Sequence, residues 1–433
     1  MRRALVVPWF KRRPWDRWDR RVGRRILFVL AATLMASGVW IGYNTVGPGG
    51  RAPSPSTDLG ALPGPGDWPA AGRDPAASSY APYDGPIPQG DLLWRFDTEA
   101  PLLTSPAVVD GRVYLATGDR RLVALDGETG ELLWTLPLTG PVDSSPAVAG
   151  DNVYFGLRDH RFLAVDRNTG VKRWEYKTDN PVFSSPAVLG GIVYVGTADY
   201  HLYAFDAANG KRLWKYKAGA QINSDVAVTQ DVVTVMSSDD RLHLVDARTG
   251  DGRFEYRTAF SRGSPAIEGG LVYVSDENGG LRAIDWRKRF YPLERFVRRV
   301  RLEAFLWGIA SFPDQKGLVW SFRQPEHRFT GKPAVDAKNV YAATVGGLLV
   351  ALDKLTGRPA WTFETDVKTG SSPSVVGDTV LFGDLEGDLH ALDARSGDRL
   401  WVRRLGGGIS STPVFANDLL YVSSLDGSLY AFR

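Results

Sequence analysis

Residues 124–134 read Ala-Leu-Asp126-Gly-Glu-Thr-Gly130-Glu-Leu-Leu-Trp134, and the chain repeats this stretch with a period of 40 residues. The shared pattern is Ala-x-Asp-x-x-Thr-Gly-x-x-x-Trp. The fourth copy has Phe254 in place of Trp, and a degenerate fifth copy begins at Asp285. Such a period indicates a repeat architecture. The structural repeat positions are Asp126, Gly130, Trp134, Asp166, Gly170, Trp174, Asp206, Gly210, Trp214, Asp246, Gly250, Asp353, Gly357, Trp361, Asp393, Gly397 and Trp401.

Each position of this pattern has a structural role that needs no ligand. The aspartate can accept hydrogen bonds from the backbone of the turn that follows it, and the Thr or Ser can add another. The glycine can adopt the left-handed conformation that closes the turn. The tryptophan is large enough to reach a neighbouring unit while its ring N–H bonds to a backbone group.

A second element lies between consecutive copies and occurs eight times. It starts as Ser105-Pro106-Ala-Val and is followed by a tight-turn pair, such as Asp110-Gly111, and a short alternating run. Turn pairs between β-rich runs indicate hairpins. Each unit therefore holds four short strands, which is typical of a propeller blade. The sequence predicts an all-β fold, an eight-bladed β-propeller of four-stranded blades.

The two ends of the repeat region predict how the ring closes. Trp94 lies 40 residues before Trp134 but has no Ala-x-Asp ahead of it. The chain ends at Ala431-Phe-Arg433, 40 residues after Ala391 and just short of a tryptophan strand. We expect the Trp94 strand to complete the last blade, which would leave no exposed edge at the seam.

The repeat resembles the tryptophan-docking motif of the pyrroloquinoline-quinone (PQQ)-like β-propellers, and Asp67–Pro75 resembles the segment that often precedes their ring. The resemblance covers about residues 67–433. It implies the fold, but the family includes both quinoprotein dehydrogenases and the non-enzymatic propeller subunit of the outer-membrane β-barrel assembly machinery. The chain resembles the latter more closely.

The dehydrogenase resemblance implies PQQ stacked on a ring of two adjacent cysteines and Ca²⁺ held by Glu, Asn and Asp. This chain has no cysteine, its acidic loop groups fall at ordinary hairpin turns, and its five histidines lack metal-ligand spacing. We therefore expect no catalytic residue, cofactor or metal. The alternative that stays open is a PQQ-dependent dehydrogenase with an atypical, disulfide-free site, for which PQQ and calcium would be needed.

The N-terminal region differs in composition from the rest. Residues 1–25 carry a net charge of +8 and predict a basic cytoplasmic tail, and residues 26–46 are uncharged and predict a transmembrane helix. Residues 47–66 form a Pro/Gly-rich linker. The positive-inside rule places the propeller, residues 67–433, outside the cytoplasm. A cleaved signal peptide is the alternative.

An insertion of about residues 286–316 interrupts blade five and has the period of a basic, aromatic helix. It could lie on an anionic membrane or bind a partner, or it could pack against the propeller. The candidate surface residues are Arg295, Phe296, Arg298, Arg299, Arg301 and Trp307. A second candidate feature is a near-ring of hydroxyls at the starts of the innermost strands. These hydroxyls could cap the strand ends and bind channel water, or they could line a small-molecule pocket at the mouth, with Lys332 as its one cation.

These observations predict a single-pass membrane protein that displays a non-catalytic, monomeric propeller scaffold outside the cytoplasm. It would bind protein partners on a propeller face, in envelope protein assembly or as a receptor-like module. The net charge of the whole chain is only +3, which argues against binding nucleic acid through overall basicity.

Overall fold

The computed structural model describes residues 63–64, 66–85, 87–259, 263–288, 294–309, 315–329 and 331–433. The predicted basic tail, transmembrane helix and most of the linker (residues 1–62) lie outside the described residues, so these boundaries stay predictions. No helix in the described part of the chain is both long and apolar enough to cross a membrane.

The described residues contain one α-helix, α1 (Glu294–Leu306), and 33 strands. The strands are β1 (Tyr80–Ala81), β2 (Leu92–Asp97), β3 (Ala107–Val109), β4 (Arg112–Thr117), β5 (Arg121–Asp126), β6 (Leu132–Pro137), β7 (Ala147–Ala149), β8 (Asn152–Gly156), β9 (Arg161–Asp166), β10 (Lys172–Lys177), β11 (Ala187–Leu189), β12 (Ile192–Gly196), β13 (His201–Asp206), β14 (Arg212–Lys217), β15 (Ala227–Val228), β16 (Val232–Ser237), β17 (Arg241–Asp246), β18 (Gly252–Arg257), β19 (Ala266–Glu268), β20 (Leu271–Ser275), β21 (Gly280–Asp285), β22 (Leu318–Arg323), β23 (Ala334–Val335), β24 (Asn339–Ala343), β25 (Leu348–Asp353), β26 (Pro359–Glu364), β27 (Ser374–Val376), β28 (Thr379–Gly383), β29 (Asp388–Asp393), β30 (Arg399–Arg404), β31 (Val414–Ala416), β32 (Leu419–Ser423) and β33 (Ser428–Phe432).

The strands form eight sheets, each built on four antiparallel strands, which confirms the eight-bladed all-β propeller. Each of blades one to seven consists of four consecutive strands, from β3–β6 in blade one to β27–β30 in blade seven. Within each of these blades the first strand is the innermost and the fourth is the outermost. Blade seven departs from the predicted four strands because β1 pairs in parallel with the inner side of β27. This fifth strand comes from the segment ahead of the ring, outside the repeat.

Blade eight closes the ring as the spacing of Trp94 predicts. Its order is β31, β32, β33 and then β2, so the first long strand of the propeller lies beside the last. Trp94 is opposite Ala431 in this pair. The register matches that of Trp134 opposite Ala124 in blade one.

The hydrophobic core lies between neighbouring blades. In the cluster between blades three and four, Trp214 and Leu202 pack with Val228 and Val245. Similar clusters recur around the ring, because strand side chains alternate between the two faces of each blade and both faces are covered.

Helix α1 lies in the chain between β21 and β22 of blade five. It belongs to a separate compact unit from the propeller and is described by itself below.

Candidate functional site

The repeated turn is built by side-chain hydrogen bonds to its own backbone. In blade one, Asp126 Oδ1 accepts bonds from the N–H groups of Glu128 and Thr129 and from the Thr129 hydroxyl, at 2.9–3.0 Å. The bonds from Thr129 hold the pKa of Asp126 below its ordinary value. Gly130 closes the turn with φ of 74°. The repeat positions are thus occupied by groups that form the turn.

One turn carbonyl joins each pair of neighbouring blades in most of the ring. The Ala207 oxygen in blade three accepts the Trp174 ring N–H at 3.0 Å and the Tyr154 hydroxyl at 2.9 Å, both from blade two. A carbonyl has two lone pairs, so both bonds can form. Tyr194, Tyr273, Tyr341 and Tyr421 donate to turn carbonyls in the same way. These tyrosines therefore share the tryptophan's docking role, which the sequence analysis did not assign to them.

Blade five has a docking tryptophan that the sequence analysis missed. Trp320 lies opposite Ala283 in the outermost strand, and its ring N–H bonds to the Lys354 carbonyl at 2.8 Å. The insertion lies inside the turn, since Asp285 N–H bonds to the Gly317 carbonyl far along the chain. The signal that could have found Trp320 is its spacing of 41 residues from Trp361.

The near-ring of hydroxyls forms a belt of hydrogen bonds from blade to blade. In six of the blades, a backbone N–H just before the innermost strand donates a hydrogen bond to the side chain at the equivalent position of another blade. The donor nitrogen and the acceptor oxygen are 2.9–3.1 Å apart. The pairs are Ser105 to Ser145, Ser145 to Ser185, Ser185 to Asp225, Asp225 to Ser264, Lys332 to Ser372 and Thr412 to Ser105. The belt couples neighbouring blades at the axis.

The axis of the ring is filled by main chain. The axial segment, residues 67–81, passes the innermost strands and accepts backbone hydrogen bonds from six of the eight blades, beginning with Val108 N–H to Trp68 O at 2.8 Å and ending with Gly377 N–H to Ala81 O at 2.9 Å. Trp68 is fully buried. Arg73, Ala77 and Ser79 have positive φ, a costly conformation for non-glycine residues that shows how tightly the segment coils.

Lys332 replaces the usual belt hydroxyl in blade six and cannot accept a hydrogen bond. Its side chain is 3% exposed, and its ammonium instead donates to the Ala71 carbonyl of the axial segment at 2.7 Å. Burial lowers the pKa of this ammonium, and the carboxylates of Asp225 and Asp74 partly oppose that change. The lysine therefore links the belt to the axial segment.

Lys332 gives the first testable prediction. Because burial lowers its folded-state pKa below the ordinary 10.5, the unfolded chain binds this proton more tightly. Stability should therefore rise with pH in the interval between the folded-state pKa and 10.5. Urea denaturation of wild type and Lys332→Met from pH 7 to 10.5 should show a smaller rise in the variant. Parallel curves would mean that Lys332 does not titrate differently in the two states.

The residues present do not fit the PQQ site that the resemblance to dehydrogenases implies, because the sequence has no cysteine for the disulfide ring. In the described ranges, no three His, Asp or Glu side chains are grouped as a metal site requires. The absence of a cofactor nevertheless stays a prediction.

A groove lies beside the axial segment on the face that carries the β15–β16 and β23–β24 turns. Its cavity of 790 Å³ is lined by Asp74–Ala76, Ser78 and Tyr80 and by the ends of innermost strands in blades three to six. We call it the turn-face groove. Its lining includes Asp74, Glu268 and Asp336 but no Lys or Arg. Its floor is largely apolar, with Val228, Ile267 and Val335.

The predicted helical surface is largely exposed. Phe296, Arg299, Arg301 and Trp307 are exposed, whereas Val297, Val300 and Ala304 of the same helix are half-buried. The side chains of Arg295 and Arg298 lie outside the described residues. Exposure alone does not assign a role to any of the candidate surface residues.

The model of the family described as outer membrane protein assembly factor BamB matches residues 85–199, 201–289, 309–402 and 364–433. The chain belongs to the BamB family. The match covers the propeller on both sides of the insertion. A comparison with curated proteins gave no sequence match.

Solved structures show how widely this fold is used. BamB from Moraxella catarrhalis is 18% identical with a TM-score of 0.63, over 79% of this chain and 97% of that one. The quinohemoprotein alcohol dehydrogenase ADHIIG from Pseudomonas putida HK5 is 16% identical with a TM-score of 0.66, over 85% and 80%. The computationally designed Ika8 protein is 14% identical with a TM-score of 0.64, over 79% and 100%. At these identities the likeness shows the fold alone, so function must be argued from the site.

Proposed function

We propose that this BamB-family propeller is a non-catalytic scaffold, anchored in the membrane by residues 26–46 and displayed outside the cytoplasm, that binds a protein partner in envelope protein assembly. Family membership carries the proposal, because the matched family is described as an outer membrane protein assembly factor. The lack of cysteine supports the non-catalytic part, since the disulfide ring that the dehydrogenase resemblance implies cannot form.

The turn-face groove is the proposed binding site. Its apolar floor can bury apolar side chains of an extended segment, which favours association. The carboxylates of Glu268 and Asp336 line the groove, and Glu268 pairs with Lys354 at 3.0 Å. The described lining itself has no Lys or Arg, which suits a segment that also carries Lys or Arg. We expect binding to weaken with rising salt, because the charges of Glu268 and Asp336 are screened.

Photo-crosslinking in the native host tests this site. A photoreactive residue at the exposed position Gln230, in the β15–β16 turn beside the groove, should give a defined protein adduct. The same residue at Leu385, in the β28–β29 turn on the opposite face, should not. The substitution Ala337→Arg places a bulky cation at the groove and should reduce the Gln230 adduct at least tenfold.

The matched control is Ala360→Arg, which makes the same change at an exposed position of β26 and should leave the adduct unchanged. An adduct that survives Ala337→Arg, or one that forms equally at Leu385, would show that the partner binds elsewhere. Dye reduction by the purified protein after addition of PQQ and Ca²⁺ would overturn the non-catalytic part of the proposal.

A further inference from the structure

The end of helix α1 concentrates exposed apolar surface. Leu306 and Trp307 are each 71% exposed and Ile309 is 74% exposed, while Leu302 is also exposed. Leu302 and Leu306 are spaced i and i+4 in the helix, so they project from the same side, and Trp307 and Ile309 follow at its end. Exposed apolar side chains in such a cluster indicate an interaction surface. We call these four residues the apolar tip.

The apolar tip has a defined backbone. The N–H of Ile309 bonds to the Ala304 carbonyl at 2.9 Å, and the N–H of Gly308 bonds to the Phe305 carbonyl at 2.9 Å. Gly308 has φ of 71°. This pair of bonds with a left-handed glycine is a Schellman cap, which ends the helix and fixes the direction of the residue after it. The backbone that carries Trp307 and Ile309 is therefore fixed by hydrogen bonds.

Basic residues lie on helix α1 beside Leu302 and one to two turns before Leu306. Arg299 and Arg301 are exposed, and Arg299 lies 3.6 Å from Glu303 in an exposed pair that adds little to stability. Residues 286–316 carry a net charge of +5 and residues 1–25 carry +8, whereas the whole chain carries +3. The rest of the chain, which includes nearly all of the propeller, therefore carries −10.

We propose that the apolar tip inserts into the surface of an anionic membrane, with Arg299 and Arg301 at the lipid phosphates. An interfacial helix combines apolar insertion with cations at the headgroups, and an indole ring prefers that depth. The charge distribution selects the lipid surface, because anionic headgroups attract residues 286–316 and repel the acidic propeller. This inference goes beyond the proposed scaffold function and relies on the proposed anchor only to hold the propeller near a bilayer.

A single fluorescent label can test this proposal, because the chain has no native cysteine. The full chain with Ile309→Cys carries an environment-sensitive fluorophore and is placed in phosphatidylglycerol or phosphatidylcholine nanodiscs. Emission should shift to the blue only with phosphatidylglycerol at low salt. Removing both charges with Arg299→Gln and Arg301→Gln should lower the ratio of inserted to free tip about thirtyfold, since each cation near such a surface contributes about fivefold.

Two controls separate this result from other causes. A label at Leu355→Cys, exposed in a propeller turn, should show no lipid-dependent shift, and Arg395→Gln should leave the Ile309 signal unchanged. An emission wavelength that depends neither on lipid charge nor on the two substitutions would overturn the proposal. Blue-shifted emission under all conditions would mean that the label packs against protein, and red-shifted emission under all conditions would mean that the tip lies in water.

The predicted transmembrane anchor is tested separately from the apolar tip. A full chain that does not co-purify with nanodiscs would contradict the predicted transmembrane helix. The labelled chain is then mixed with phosphatidylglycerol vesicles at low salt, where the same shift should appear if the apolar tip binds lipid.

Discussion

Deletion of residues 428–433 is expected to abolish cooperative folding of the propeller. Residues 428–432 form β33, which pairs with β32 on one side and with β2 on the other. Leu429 and Ala431 are fully buried, and Tyr430 and Phe432 lie in the same cluster as Val414. Losing the three large apolar side chains alone removes about 5–9 kcal/mol of burial, at about 1.5–3 kcal/mol each. That is comparable to the whole stability of a typical domain.

The deletion also opens the ring. Without β33, the β2 strand has no partner and β32 has a free edge, so the seam exposes two rows of unpaired backbone groups. Differential scanning calorimetry should show no cooperative transition, and the protein should aggregate. The matched control removes only Arg433, which is exposed and contributes a single backbone bond to Asp91, and should melt within a few degrees of wild type. A cooperative transition at the wild-type temperature in the longer deletion would contradict closure through β33.

The 40-residue period was enough to predict the eight blades and their seam. Period and register are properties of local pattern, and each copy of the Asp-Thr-Gly turn favours the same geometry in its own blade. Trp94 and Ala431 lie at the expected distances from their repeats, so even the pairing between chain ends follows from spacing.

The axial segment could not be predicted in the same way. Residues 67–81 occur once, and their bonds reach blades that are far apart in the chain, as between Ala81 and Gly377. The 40-residue period carries no information about contacts between this single segment and distant blades. The segment also depends on left-handed conformations at Arg73, Ala77 and Ser79, which local propensity disfavours. Nothing in the residues themselves indicates that they fill the axis.

Trp320 and Lys332 show two further reasons why contacts could not be predicted from the sequence. The insertion moves Trp320 far from Asp285, so the pattern that identifies the other docking tryptophans is broken although the geometry is kept. Lys332 departs from the belt pattern, and only the structure shows that its ammonium bonds to Ala71. Long-range compensation of this kind is visible in contacts, not in spacing.

The substitution Gly210→Ala is expected to destabilise the propeller by about 3 kcal/mol or more. Gly210 has φ of 71°, which costs a side-chain-bearing residue about 1–2 kcal/mol. A Cβ atom there would also lie 2.7 Å from Cδ2 and Cε3 of Trp174, well inside van der Waals contact. Trp174 is buried and its ring N–H is bonded to Ala207, so moving it loses packing and a hydrogen bond.

Gly111→Ala is the matched control, because Gly111 has φ of 69° and its added Cβ would meet no atom within 4 Å. It should cost only the backbone term, about 1–2 kcal/mol, in urea denaturation. A double-mutant cycle with Trp174→Ala then isolates the clash. If the ring is the obstacle, Gly210→Ala should cost no more in that background than Gly111→Ala does in wild type. Equal costs for the two alanines in wild type would instead mean that the Trp174 ring yields freely, so that the tryptophan would not lock neighbouring blades together.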